Sequence, residues 1–408
     1  MQAIDPETSE AYIDRLEDIL ERKWCETQLA EYKEFVKNHS PVGLWSHRFP
    51  TVSPIIPLLF QYHNPEYRRK QEAPLGYWYG DPIHTLKQLA GQVFLFEEYW
   101  SSLPNNIGVS NIKYRLRTAD KFDGFLFELM VATDSKLNRY KNYDVEPLFF
   151  NPRTEEGGAD ILLRKERERL AIQCKSRSPF AALNMSFDIF QYIFGCFYRL
   201  VQDSGHSYRL TLDLSNRFQT SDAEEIINFL TSAVKSGLNV PKHSIDSSYQ
   251  IELARLNILI NGITESEINR LLHKDPANLF CEIGGLNPGQ GDATVFNRIA
   301  VFSVSVRQAE SLETSIINII RRAASEANVD SPLILAIHFY AHIKLEDYLR
   351  HATNRNRLRK KVDTVLKSFP NIKYVNVSTN RQEYVTLLGG EQLVQTQYLE
   401  ITNHFYSE

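Results

Sequence analysis

The sequence predicts a mixed α/β (α+β) protein in three regions. Residues 1–114 read as mainly helical, 115–216 as a core of helix, three strands, helix and strand, and 217–408 as a second α/β region. Three observations carry this. Apolar residues recur at helical spacing in the first third, a short hairpin of alternating strands sits near residues 157–175, and strand-like and helical runs alternate after residue 216.

In the first region, residues 11–36 carry Ile13, Leu16, Ile19 and Leu20 at helical spacing, and 84–100 repeat the pattern with Leu86, Leu89, Val93 and Phe96. The Pro- and Tyr-rich stretch between them holds Tyr67-Arg68-Arg69-Lys70 and Tyr77-Trp78-Tyr79. Interleaved aromatics and cations can clamp single-stranded nucleic acid. A loop that packs its rings on the domain explains the same residues more simply.

The core region opens with a helical pattern over 119–137, whose Phe122, Phe125, Leu126 and Leu129 share one stripe. Glu128 is the only charge in Phe125-Leu126-Phe127-Glu128-Leu129-Met130-Val131-Ala132. A buried carboxylate costs several kcal/mol unless a cation, a donor or water stands beside it. Strands are expected at 145–150, 159–164 and 170–175, a helix at 187–202 and a fourth strand at 208–214. Leu170, Ile172 and Cys174 alternate with Ala171, Gln173 and Lys175, so Gln173 and Lys175 share a face. A hairpin turning at Glu166-Arg167 sets Asp160 opposite Gln173, about 5 Å apart at Cβ. Oxygen donors at that spacing suit Mg²⁺, which keeps several waters and leaves room for a substrate phosphate.

With Asp160 at one strand and the triplet Gln173-Cys174-Lys175 on the next, the chain resembles the PD-(D/E)xK nuclease superfamily, and its glutamine resembles the Mrr-like restriction endonuclease branch. Ala159 stands where that signature has proline. The resemblance covers about residues 115–216 and implies a restriction-endonuclease-like αβββαβ core. It also implies a glutamate on the first helix, here Glu128, and a metal-dependent deoxyribonuclease using Mg²⁺ or Mn²⁺ in restriction or antiviral defence. Under it Glu128, Asp160, Gln173 through its side-chain oxygen and Cys174 through its carbonyl hold the metal. Lys175 orients or deprotonates the water and meets the developing charge. Ser176, Arg177 and Ser178 follow directly, either as donors to a neighbouring phosphate or as a polar loop.

The third region is expected to begin with a helix at 221–235, capped by Ser221 with Glu224 three residues on. Strands follow at 249–260, 298–306, 332–339 and 372–377, and helices at 309–327 and 345–368. Asp292 follows Gly289-Gln290-Gly291 as Asp160 follows Gly157-Gly158-Ala159, and Ser305 and Arg307 fall where Gln173 and Lys175 fall. A decayed second copy of the fold is one explanation, coincidental spacing the simpler one. The glycine-rich run from Gly284 lacks the Gly-Lys-Ser/Thr ending of a phosphate loop. His338 and His342 have helical ligand spacing, but His338 lies in a strand-like run and reads as structural. Arg350, Arg355, Arg357, Arg359, Lys360 and Lys361 crowd one helix, either a solvated face or a DNA contact.

Composition bounds these readings. At 408 residues, 43% hydrophobic and 12% aromatic, the chain has material for two or three cores, which excludes a disordered protein. A net charge of −4 gives no global footprint of a nucleic-acid binder, so cations must gather locally. Cysteines 25, 174, 196 and 281 form no CxxC pair, which argues against structural zinc and a disulfide framework. The start of the chain shows no basic-then-apolar leader, and the longest apolar stretch, near 187–201, contains Asp188 and Gln191. A cytoplasmic protein without a membrane segment is expected, with DNA as partner and a homo-oligomer or a partner defence protein beside it. The competing reading is a catalytically inactive nuclease-fold subunit that binds nucleic acid or a partner protein.

Overall fold

A computed structural model describes residues 6–38, 53–65, 82–151, 158–177, 187–215, 218, 220–244, 249–256, 263–264, 280–288, 295–306, 312–326, 331–339, 343–383 and 393–406. The protein is a mixed α/β fold with a helical N-terminal region and two mixed sheets. The N-terminal helices are α1 (Pro6–Ile19), α2 (Arg22–Asn38), α3 (Ile55–His63), α4 (Pro82–Leu95), α5 (Glu97–Ser102) and α6 (Ile107–Arg117). The single helix expected over 11–36 is two, because Glu21 takes a left-handed φ of 61° and breaks the ladder. Tyr67–Lys70 and Tyr77–Tyr79 lie outside the described residues.

Next come α7 (Ala119–Asp134), β1 (Asp144–Pro147), β2 (Ile161–Lys165) and β3 (Glu168–Arg177), in the expected order. β2 and β3 form an antiparallel hairpin with Ile161 opposite Ile172 and Lys165 opposite Glu168, the register set by a turn at Glu166-Arg167. Glu166 takes a φ of 51°, the positive φ that tight two-residue hairpin turns use. β1 pairs antiparallel with β2.

The fourth strand is the main correction. After α8 (Phe187–Ser204), β4 (Ser207–Leu214) forms as expected, yet it belongs to the other sheet. That sheet also holds β5 (Val240–Ser244), β6 (Tyr249–Leu256), β7 (Ile263–Thr264), β8 (Phe280–Pro288) and β9 (Val295–Val306). A helix, α9 (Thr220–Lys235), starts before Ser221, and its Glu224 accepts the Tyr192 hydroxyl. Beside β3 lies β10 (Leu333–Phe339), parallel to it, with Leu335 opposite Gln173 and Ile337 opposite Lys175. The first sheet continues through β11 (Ile372–Glu383) and β12 (Leu393–Thr402), in the order β1-β2-β3-β10-β11-β12.

Helices cover both faces of this first sheet. Ile161, Leu163, Leu170, Ile172, Ile334 and Ala336 join the larger core, which contains α7 and the N-terminal helices. Ala171, Leu333, Leu335, Ile337, Val375 and Val377 join a second core with α10 (Leu312–Glu326), α11 (Ile343–Arg350) and α12 (Ala352–Leu366). Every residue of β10 is buried, as expected of a parallel strand covered on both faces.

The helix expected over 345–368 is α11 and α12, separated at His351, whose ψ of 120° is extended. The expected DNA-facing cations on α12 are only partly available. The Arg357 guanidinium and the Lys361 ammonium both pair with the buried Glu313 carboxylate of α10, and Arg357 lies 5.6 Å from the Tyr348 ring centre. Although burial opposes ionisation, those cations and the Tyr348 hydroxyl bring the Glu313 carboxyl down to about 2. Two of the basic residues on α12 are therefore spent on pinning α10. Arg359 and Lys360 are exposed, and Arg355 is partly so.

The stretch weighed as a second copy is only partly described. β8 and β9 pair with Phe280 opposite Val304 and Pro288 opposite Phe296. Ser305 donates to Asp213 on the neighbouring β4. Asp292, Arg307 and His342 themselves lie outside the described residues, and among those described no helix is long and apolar enough to cross a membrane.

Candidate active site at the open end of the β2/β3 hairpin

The site begins where the hairpin ladder ends. Gly158 takes a φ of 84°, a conformation glycine adopts without strain, and turns the chain toward β2. Asp160 sits one residue before the strand, and continuing the register beyond Ile161 and Ile172 sets it beside Gln173. Its main-chain N–H donates to the Ile172 carbonyl at 2.9 Å, and its Oδ2 accepts the Cys174 N–H at 2.6 Å. A strand residue's N–H and C=O point to the same edge, so the Cys174 carbonyl also faces Asp160. The Cys174 thiol is buried in the larger core, and burial pushes it well above the usual thiol range, so only its main chain is available as a donor.

Gln173 and Lys175 project from the opposite face of β3. Gln173 is 4% exposed, and among the described residues its buried Oε1 has no hydrogen-bond partner. Leaving such an oxygen unpaired costs about 1–3 kcal/mol, and it leaves the amide oxygen able to bind an incoming cation or donor. The Lys175 ammonium is held by Glu326 Oε2 at 2.7 Å, at the end of α10. Glu326 also accepts from Arg322 at 2.7 Å, and these two cations draw its carboxyl below the ordinary range. Sequence reasoning missed Glu326. Its only local signal was Arg322 four residues earlier, an ordinary surface pair.

Glu128 comes from α7 on the other side of the sheet. It is buried as expected, and its carboxylate pairs with Arg115 of α6. Burial raises its pKa, opposed by the charges of Arg115 and Lys175. Asp160 is partly buried and its carboxyl rises to about 7, first through desolvation and then through the negative charge of Glu128. The two carboxylates therefore sense each other. One helical turn before Glu128, a Cβ on Gly124 would stand 3.9 Å from Ser176 Oγ and 4.0 Å from Glu128 Oε1, so Ser176 and Glu128 share one corner.

His338 of β10 lies opposite Ser176, stacks on Phe127 with ring centres 5.1 Å apart, and has Ser378 Oγ 2.9 Å from Nδ1, in keeping with a structural role. Arg177 is exposed at the end of β3, and Ser178 lies outside the described residues.

Asp160, Gln173 and the Cys174 carbonyl thus gather at one end of β3. Glu128 reaches that end from α7, and Lys175 projects toward α10. Among the described residues no group of three or more His, Cys, Asp and Glu side chains converges as a ready metal cage. The donor set here is two carboxylates, an amide oxygen and a carbonyl, oxygen ligands of the kind a hard cation takes alongside water. The orphaned Gln173 oxygen and the lifted Asp160 carboxyl both fit a divalent cation. Compared with known proteins, the chain matches no family model and no curated protein sequence.

Proposed function

We propose that this chain is a metal-dependent endonuclease that hydrolyses DNA phosphodiester bonds in restriction or defence against foreign DNA. The observation that carries the reading is the juxtaposition of Asp160 with the unsatisfied buried oxygen of Gln173, two positions before Lys175. The order of elements also supports it. Helix α7, the three antiparallel strands β1 to β3, then helix α10 and strand β10 parallel to β3 follow the αβββαβ order that the PD-(D/E)xK resemblance implies, with α8 to β9 intervening before α10.

A divalent cation held by Glu128, Asp160, Gln173 and the Cys174 carbonyl would activate a water and offset charge on the phosphate. The protein's own groups do the rest. The Cys174 N–H fixes the Asp160 carboxylate, and the Lys175 ammonium donates to the attacking water, orienting it, or meets the phosphate's developing charge. Glu326 holds that ammonium in place through its ion pair. Arg115 holds the Glu128 carboxylate.

One observation favours the competing reading of an inactive nuclease-fold subunit. Arg115 and Glu326 already pair with Glu128 and Lys175, so two of the four groups are satisfied without a ligand. Incubation of the purified full chain with plasmid DNA in Mg²⁺ or Mn²⁺, against EDTA, decides between them. Nicking or linearisation that EDTA abolishes is expected. Intact plasmid under every divalent-cation condition would favour the inactive subunit.

A further inference from the structure

A groove of about 610 Å³ opens between α10 and α12. Arg321, Arg322 and Ser325 line it from α10, Thr364 and Ser368 from α12 and the turn after it, and Phe369 adds an apolar wall. Both arginines are exposed, and among the described residues no carboxylate is part of the lining, although Arg322 reaches out of it to Glu326. At the other end of the helix pair, Glu313 ties α10 to Arg357 and Lys361 of α12. The helices are pinned there and parted at the groove.

The groove also connects to the candidate active site. Arg322 bonds Glu326 at 2.7 Å, and the second oxygen of Glu326 bonds Lys175 at 2.7 Å. A polyanion lying along the groove would therefore reach the Lys175 end of β3 with one side chain between. Two guanidinium groups that can grip phosphate oxygens in pairs, flanked by hydroxyl donors, match a phosphodiester backbone. In a chain of net charge −4, Arg321 adds a cation beside the partly neutralised Arg322, so the groove carries net positive charge for a nucleic-acid backbone.

We infer that the α10/α12 groove is a binding site for backbone phosphates of DNA, adjoining the scissile position, with Arg321 and Arg322 as its cations. The inference rests on the nuclease reading for the identity of the polyanion. It also moves the DNA contact from the outer face of α12 to the cleft between the two helices.

The test is fluorescence anisotropy of a labelled DNA duplex with the full chain in EDTA across a salt titration. Wild type is compared with Arg321→Ala, Arg321→Glu and Arg359→Ala, each checked for an unchanged melting temperature. Arg321 is chosen because Arg322 also bonds Glu326. Several-fold weaker binding is expected for Arg321→Ala, with a salt slope shallower by about one, and a larger loss for Arg321→Glu. Wild-type affinity and slope in both Arg321 variants would overturn the groove. A loss confined to Arg359→Ala would overturn it in favour of the outer face of α12. If wild type binds no DNA at any salt, the nuclease reading falls as well, whereas binding that survives the Arg321 changes removes the groove alone.

Discussion

Asp160→Asn is expected to remove divalent-dependent DNA cleavage while making the metal-free protein more stable above neutral pH. The asparagine oxygen can still accept the Cys174 N–H, so the end of β3 keeps its geometry. What disappears is a negative charge held against burial and against Glu128. Losing a metal-anchoring carboxylate removes several kcal/mol of transition-state stabilisation, which is a fall of at least about 100-fold in rate. Lys175→Ala should lose cleavage similarly but show no stability gain, because among the described residues it leaves Glu326 paired with Arg322 alone. The paired readout separates chemistry from folding. Undiminished cleavage by either folded variant would remove that residue from the site.

The wild-type protein should show a stability maximum on the acid side of neutrality when stripped of divalent cations. Asp160 moves from 3.8 to about 7 on folding, so its contribution is full below about pH 4 and is lost as pH rises through 7. Glu128 is shifted in the same direction by burial. Glu313 acts oppositely. Its carboxyl falls from 4.5 to about 2, so its contribution is present above 4.5 and is lost as pH drops toward 2. Thermal melting in EDTA should therefore give its highest midpoint near pH 4 to 5 and decline toward pH 8. Mn²⁺ should reverse the decline, since a cation takes the place of the proton at Asp160. A midpoint that rises from pH 5 to pH 8 in EDTA would contradict the buried-carboxylate account.

The hairpin was legible because both of its determinants are local. Leu170 to Lys175 alternate with period two, and the two-residue turn at Glu166-Arg167 leaves a single register that buries Leu170, Ile172 and Cys174 beneath α7. The partner of β3 was harder to read. Residues 208–214 follow β3 closely and alternate like a strand, so proximity in sequence favoured them. Yet Leu333-Ile334-Leu335-Ala336-Ile337-His338-Phe339 is a near-continuous apolar run, which marks a parallel strand covered on both faces, and that signal belonged beside β3.

Glu128 was visible as a lone charge in an apolar helix, but its partner Arg115 was not, since it lies on a separate helix. Glu326 was invisible for a stronger reason. Lys175 and Glu326 come together only because α10 packs on the face of β3 that carries Lys175, a tertiary fact with no local spacing. The same holds for Arg357 and Lys361, whose charges look free along α12 until Glu313 of α10 is set against them.

The central claim is that the end of β3 is a divalent-cation site anchored by Asp160. Calorimetric titration of Mn²⁺ into the metal-free full chain near pH 7, repeated in buffers of different ionisation enthalpy, tests it most directly. The account predicts one site with release of a proton, weakened by Gln173→Ala and lost in Asp160→Asn. Equal Mn²⁺ binding by wild type and Asp160→Asn, or no binding by wild type, would contradict it.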